Sequence, residues 1–330
     1  MAEEYKSIFK NEISEHIMIR KETLGKETFR HYKHVVLQFD DYLYRTGYDK
    51  KFISSDVIDD WIKEISEGIR INTVGQYIHY IRQLLYHLIS CGYRCSVPRN
   101  LVNRDTYAPY IYSDYDLQHI FCTADNLKAP HAVKNKWIEA EMPMLLRLLL
   151  SCGLRVGEAT HIKVGDIDFE KNIIILKVTK KYKQRLVPFD EQLSSILKRY
   201  CMAMGIISPS EAYIFPGIDR DTPLAVNSAR NYFQRILKDV GITRDGYFSN
   251  ERGACLHCFR HTFATRSFKQ AEMMGIKIRD SIPFLSTYLG HDSLYETEKY
   301  LKFSGDLFPD TLTKFESFTE GIFPEVKIDE

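Results

Sequence analysis

The sequence predicts a mainly α-helical protein with one small β-sheet, divided into a helical N-terminal unit and a mixed α/β C-terminal unit. Three observations predict this. Apolar residues recur at helical spacing through most of the chain. One pair of short β-rich runs, 172–179 and 184–189, flanks a lysine-rich turn. The periodicity lapses between Pro98 and Pro109, as it does in a linker. At 330 residues the chain is long enough for two cores.

In the first unit, Phe29, Tyr32, Val36, Phe39, Tyr42 and Leu43 share a stripe, so the first helix is expected from Thr28 to Arg45 with Gly47 as its stop. A second helix is expected over Ser55 to Glu67. A third has Asn72 as N-cap, then Val74, Ile78, Ile81, Leu84, Leu85 and Leu88, and it ends at Gly92. The boundary is expected near residue 105, giving an all-helical unit over 1–105. Beyond it, Ser113 opens a helix, with Asp116 completing a capping box. Met142 to Cys152 reads as a buried helix, and further helices are expected at 190–203, 226–240, 257–268 and 280–289.

Composition narrows the function classes. The chain is 44% hydrophobic and 27% charged, the balance of a globular protein and not of a disordered one. Its net charge is +1, which gives no overall vote for nucleic acid. After Tyr300, however, seven acidic residues face three lysines, so the rest of the chain carries about +5. Seven scattered cysteines suggest reduced thiols and a cytoplasmic setting. No run approaches the ~18 apolar residues of a membrane span, and no membrane partner is expected.

Four short motifs carry the chemistry. In Gly153-Leu154-Arg155-Val156-Gly157-Glu158, Arg155 stands at a turn into a helix, where a guanidinium offers paired donors to phosphate oxygens. The plainer reading is an ion pair with Glu158. The turn Thr179-Lys180-Lys181-Tyr182-Lys183 reads as a solvated loop, or as ammonium groups that reach a phosphate or a departing oxygen. In His257-Cys258-Phe259-Arg260-His261, positions i and i+3 put His257 and Arg260 on one face, pairing a proton carrier with a permanent cation. Cys255, His257 and Cys258 also cluster, but a structural zinc normally needs a fourth ligand in a second knuckle, and none follows. Finally, Leu289-Gly290-His291 precedes Tyr300 by nine positions, counted from the histidine. Taken singly, that histidine reads as a helix cap and that tyrosine as a core residue.

In this order the four motifs resemble the active-site set of the tyrosine recombinase, or phage integrase, family. The resemblance covers about residues 106–300. It implies a mixed α/β catalytic domain over 106–300 and a helical core-binding, DNA-binding domain over 1–105. It assigns catalytic roles to Arg155, Lys180, His257, Arg260, His291 and Tyr300. Lys180 is preferred to Lys181 because it lies five residues before Arg185 of the Arg-Leu-Val-Pro stretch. The implied activity is site-specific DNA recombination through a 3′-phosphotyrosyl intermediate, needing no cofactor and no metal. Partners implied are a duplex DNA site, a homotetramer on DNA formed from a monomer or weak oligomer, and an accessory DNA-bending or excisionase protein. The apolar positions of 301–330 are expected to dock, on a neighbouring protomer or on their own domain. Candidate phosphate contacts are Lys181, Lys183 and Arg266. The favoured role is integration or excision of a mobile element. A Xer-type chromosome-dimer resolvase and a catalytically silent DNA-binding regulator are the alternatives, and type IB topoisomerases use a similar residue set.

Overall fold

A computed structural model describes residues 5–101, 109–129, 135–177, 184–206, 211–242 and 253–302. Two compact units divide the chain, Met1–Thr106 and Tyr107–Glu330.

The first unit contains α1 (Lys10–Thr23), α2 (Lys26–Arg45), β1 (Phe52–Ile53), α3 (Ser55–Ser66), α4 (Ile71–Ser90) and β2 (Arg94–Cys95). The first helix is thus α1, which the sequence does not announce. Its buried residues are Ile13, His16 and Ile17, while Met18 and Ile19 face solvent. No apolar stripe separates the two faces, so only packing on α2 and α4 reveals it. The helix expected with Asn72 as N-cap begins two residues earlier, at Ile71 with Arg70 as N-cap, because the backbone turn closes on the Arg70 carbonyl. The unit is also not wholly helical. The chain after α2 and the chain after α4 run side by side, and β1 pairs in parallel with β2 through Phe52↔Arg94 and Ile53↔Cys95. The core holds Phe9, Tyr32, Phe39, Trp61, Ile81 and Leu84.

The second unit contains α5 (Asp114–Asp125), α6 (Ile138–Cys152), α7 (Val156–Thr160), β3 (Ile167–Asp168), β4 (Ile173–Leu176), β5 (Arg185–Pro188), α8 (Glu191–Ala203), α9 (Val226–Val240), α10 (Leu256–Met273), α11 (Ile278–Leu289) and α12 (Leu294–Lys302). The expected capping box forms at α5: the Asp116 amide donates to Ser113 Oγ and the Ser113 amide to Asp116 Oδ2, both at 3.0 Å. Helix α6 is buried along most of its surface, by Met142, Leu145, Leu146, Leu148 and Leu149 among others, and α10 packs across it. The β-rich runs pair antiparallel as expected, from Ile173↔Pro188 to Leu176↔Arg185. A third strand, β3, joins the other edge of β4, giving the order β3-β4-β5. At two residues it is too short to leave a period in the sequence. Lys180, Lys181, Lys183 and residues 303–330 lie outside the described residues. A small second core of Ala264, Phe268, Ile282, Leu289 and Tyr300 ties α10, α11 and α12 together.

Candidate active site

The site grows from two helix ends. Helix α6 stops at Gly153, whose φ of +58° is left-handed, and an added Cβ there would meet the Phe263 ring at 2.4 Å. Two residues on, Arg155 is the extended N-cap of α7. Its amide donates to Glu158 Oε2 at 3.0 Å and its Nη1 to Glu158 Oε1 at 2.8 Å. Arg185, at the start of β5, grips the same carboxylate from the other side, Nη1 to Oε1 at 3.1 Å and Nη2 to Oε2 at 2.8 Å. Glu158 is 4% exposed. Burial alone would raise its pKa, but the hydrogen bonds and charge of Arg185, then those of Arg155, hold it down at about 2.

The second helix end is that of α11. Gly290, at φ +66°, forms a Schellman turn in which its amide bonds the Thr287 carbonyl at 3.1 Å and the His291 amide bonds the Ser286 carbonyl at 3.0 Å. The last carbonyls of a helix carry partial negative charge and lack intrahelical donors. Here three arginines supply them: Arg185 Nε on Tyr288 O at 3.0 Å, Arg260 Nη2 on Leu289 O at 2.7 Å, and Arg155 Nη2 on Gly290 O at 3.4 Å. Arg260, on α10, also donates Nη1 to the Gly153 carbonyl at 2.8 Å, which links the two helix ends. It is 1% exposed, and burial, then the charge of Arg155, push its pKa down to about 10, so it stays cationic at neutral pH.

The Schellman turn delivers His291 beside α12. Its Nδ1 shares a 2.6 Å hydrogen bond with the buried Thr297 hydroxyl, and three residues later on that helix its ring stacks on that of Tyr300, centroids 6.0 Å apart and planes 26° apart. On the other side, the His261 ring lies 5.3 Å from Tyr300 and 4.7 Å from the exposed His257 ring. Tyr300 is 6% exposed. Burial raises its phenol pKa, while the charge of Arg260, a hydrogen bond from it and the charge of Arg155 act the other way. His261 and His291 are both held at about 3, by burial first and then mainly by neighbouring histidine and arginine charges. Three guanidiniums against one carboxylate leave a net charge of +2, with neutral imidazoles around a phenol. Such a cluster can hold an anion beside the phenol.

A family model described as the phage integrase family matches residues 116–304, more than half of the chain. The chain belongs to that family. Relatives of this integrase-family chain include the integrase/recombinase y4rB of Sinorhizobium fredii, 28% identical over 214 residues that cover 63% of this chain and 66% of that protein. The integrase/recombinase of Acholeplasma phage L2 is 28% identical over 231 residues, 70% of each chain. The chain therefore spans about two thirds of the length of these curated relatives. Among solved structures, the XerH site-specific recombinase in a post-cleavage complex superimposes with a TM-score of 0.69 at 18% identity, over 88% of this chain and 81% of that one. At that identity the likeness is one of fold.

Of the residues singled out in the sequence, Arg155, Arg260, His291 and Tyr300 come together, and His257 stands at the exposed rim beside His261. The plainer reading of Arg155 holds, since it pairs with Glu158, and its other guanidinium nitrogen reaches the Gly290 carbonyl. Arg266 lies nine residues, a half-turn of phase, from His257 on α10, and pairs with exposed Asp114. Three members escaped sequence reasoning as site residues. Glu158 was legible only as a surface partner, Arg185 only as a landmark in Arg-Leu-Val-Pro, and His261 not at all. Their signal is adjacency to motif residues, which spacing alone does not turn into a role. The sulfurs of Cys255 and Cys258 approach to 3.4 Å, and none of the seven cysteines forms a disulfide. No helix among the described residues is long and apolar enough to cross a membrane.

Proposed function

We propose that this chain is a site-specific recombinase of duplex DNA in which Tyr300 is the nucleophile. The observation that carries the reading is a buried phenol touching Arg260 and stacked on His291 at the edge of a +2 cluster. In the proposed step the phenol oxygen attacks a backbone phosphorus, the 5′-oxygen leaves, and a 3′-phosphotyrosyl bond keeps the strand ready for rejoining. Arg155 and Arg260 hold the nonbridging oxygens as charge develops on them. The imidazoles of His261 and His291 flank the phenol and burial keeps both neutral, while His257, at the exposed rim beside His261, carries the phenol proton away. Lys180 gives the leaving oxygen its proton. Residues 1–105 act as the core-binding domain that grips the same duplex, with Lys181, Lys183 and Arg266 on phosphates. The tail 301–330 docks on the next protomer of a cyclic tetramer, and an accessory DNA-bending or excisionase protein sets direction. The integrase and phage names of the relatives favour integration or excision of a mobile element, carried out in the cytoplasm.

A nicked suicide substrate tests the reading, because loss of the short product traps any covalent complex. Wild type is expected to be captured covalently. Tyr300→Phe is expected to bind the same duplex within about threefold yet give no covalent product, since only one oxygen is removed. Lys180→Ala and Lys181→Ala, assayed side by side, identify the general acid by the larger loss. A wild-type protein that binds duplex but is never captured is the DNA-binding regulator, not the enzyme.

A further inference from the structure

The first unit holds a cluster that the proposed chemistry does not use. His87 and Cys91 stand four residues apart at the C-terminal end of α4, on one face, and Cys91 donates its amide to the His87 carbonyl at 3.0 Å. Cys91 Sγ lies 3.6 Å from His87 Nε2. Glu15, from the middle of α1, brings a carboxylate oxygen to the same point, and the three ligand atoms lie within 4.8 Å of one another. Beside them the buried His16 ring packs 4.6 Å from the His87 ring and is itself anchored, Nε2 to Tyr32 Oη at 2.6 Å.

We propose that Glu15, His87 and Cys91 form a binding site for a divalent transition-metal ion, zinc by ligand preference. Thiolate, imidazole and carboxylate together are a borderline-soft donor set, which favours zinc over the hard cations magnesium and calcium. The geometry agrees with tetrahedral coordination. With Zn–S of about 2.3 Å and Zn–N of about 2.05 Å, the S···N edge of a tetrahedron is about 3.6 Å, which is the separation found here. Glu15 is exposed and long enough to close the remaining distance by rotation, and solvent reaches the fourth vertex beside exposed Cys91. His16, wedged against His87 and tied to Tyr32, fixes the plane of the ligating ring, the usual service of an outer shell. The consequence is a clip between α1 and the end of α4. Helix α1 packs through Ile13 and Ile17 but has no clean apolar stripe of its own, so a metal bond to Glu15 would add a second hold on it.

The test uses the full chain, reduced, titrated first with Co²⁺ and then with Zn²⁺. A thiolate-to-cobalt charge-transfer band in the near ultraviolet is expected to saturate at one equivalent and to vanish when Zn²⁺ displaces the cobalt. Cys91→Ser removes the band. His87→Ala weakens zinc binding by about 100-fold or more, since even outer-shell losses cost about 10- to 100-fold. Glu15→Gln weakens it less, and a Cys255→Ser/Cys258→Ser double variant keeps the band. Of the five residues replaced only Cys258 is buried, and circular dichroism of each variant separates metal loss from misfolding. The proposal is overturned if wild type gives no charge-transfer band, if the band survives Cys91→Ser, or if only the Cys255/Cys258 variant abolishes it.

Discussion

Glu158 carries two guanidiniums on one buried carboxylate, and removing it leaves Arg155, Arg185 and Arg260 facing one another without a counter-charge. Breaking a buried, hydrogen-bonded pair typically costs about 3 to 5 kcal/mol, far more than a surface pair. Glu158→Ala is therefore expected to lose about 3 kcal/mol in urea unfolding. Glu158→Gln, which keeps an acceptor but no charge, should fall between that variant and wild type. A Glu158→Ala protein within 0.5 kcal/mol, roughly the scatter of ordinary surface substitutions, would mean that the arginines are held by the helix carbonyls alone. The same residue illustrates a limit of reading by spacing. Glu158 is legible as a partner for Arg155, but a second arginine, 27 positions later on a strand, has no period that connects it to this carboxylate.

At the scale of elements, the site is a junction of two left-handed helix ends, and the glycines there are required by both conformation and space. Gly153 faces an aromatic ring at 2.4 Å, whereas Gly290 faces the guanidinium end of Arg185 at 3.0 Å, itself held by Glu158 and the Tyr288 carbonyl. Both pay the left-handed penalty of about 1 to 2 kcal/mol when replaced by alanine, and only the first adds a contact shorter than 3.0 Å, with the Phe263 ring. Gly153→Ala is expected to lower the melting temperature clearly more than Gly290→Ala. Gly290→Ala should press on Arg185 and the Arg155 contact, and so reduce strand cleavage as well as stability. Equal melting temperatures for the two variants would contradict this account. The helices themselves were largely readable, and α5, α8 and α9 fall within a residue or two of expectation because caps and apolar stripes mark them. Helix α12, which carries Tyr300, was not foreseen as an element. It is nine residues long, and its buried positions Thr297 and Tyr300 are too few to make a stripe.

For the whole molecule, acid stability follows from histidines buried in the neutral state. His16 is held at about 4, and His261 and His291 at about 3, each below the unfolded value of 6.5 and each chiefly by burial. Below pH 6.5 the unfolded chain takes up protons that the folded one refuses, so stability is full above that pH and declines as pH falls toward 3. Buried Glu141 works in the opposite sense. Burial raises its pKa to about 7 against 4.5 unfolded, so its contribution is full below 4.5 and is lost as pH rises through 7. Urea midpoints measured across pH should therefore fall on both sides of a maximum. A His261→Gln/His291→Gln variant should flatten the acid limb between pH 6.5 and 4, and an unchanged limb would show that these rings are not the groups responsible. By itself the sequence determined the mainly helical class, the break after the first hundred residues, the four motifs and hence the family, because local periodicity, caps and short motifs are written in neighbouring residues. Only the tertiary structure decided that Glu158 joins Arg155 to Arg185, that His261 flanks Tyr300, and that the end of α11 gathers three arginines. Those contacts join positions up to 135 residues apart, and burial, which sets their charge states, is a property of packing that no local pattern encodes.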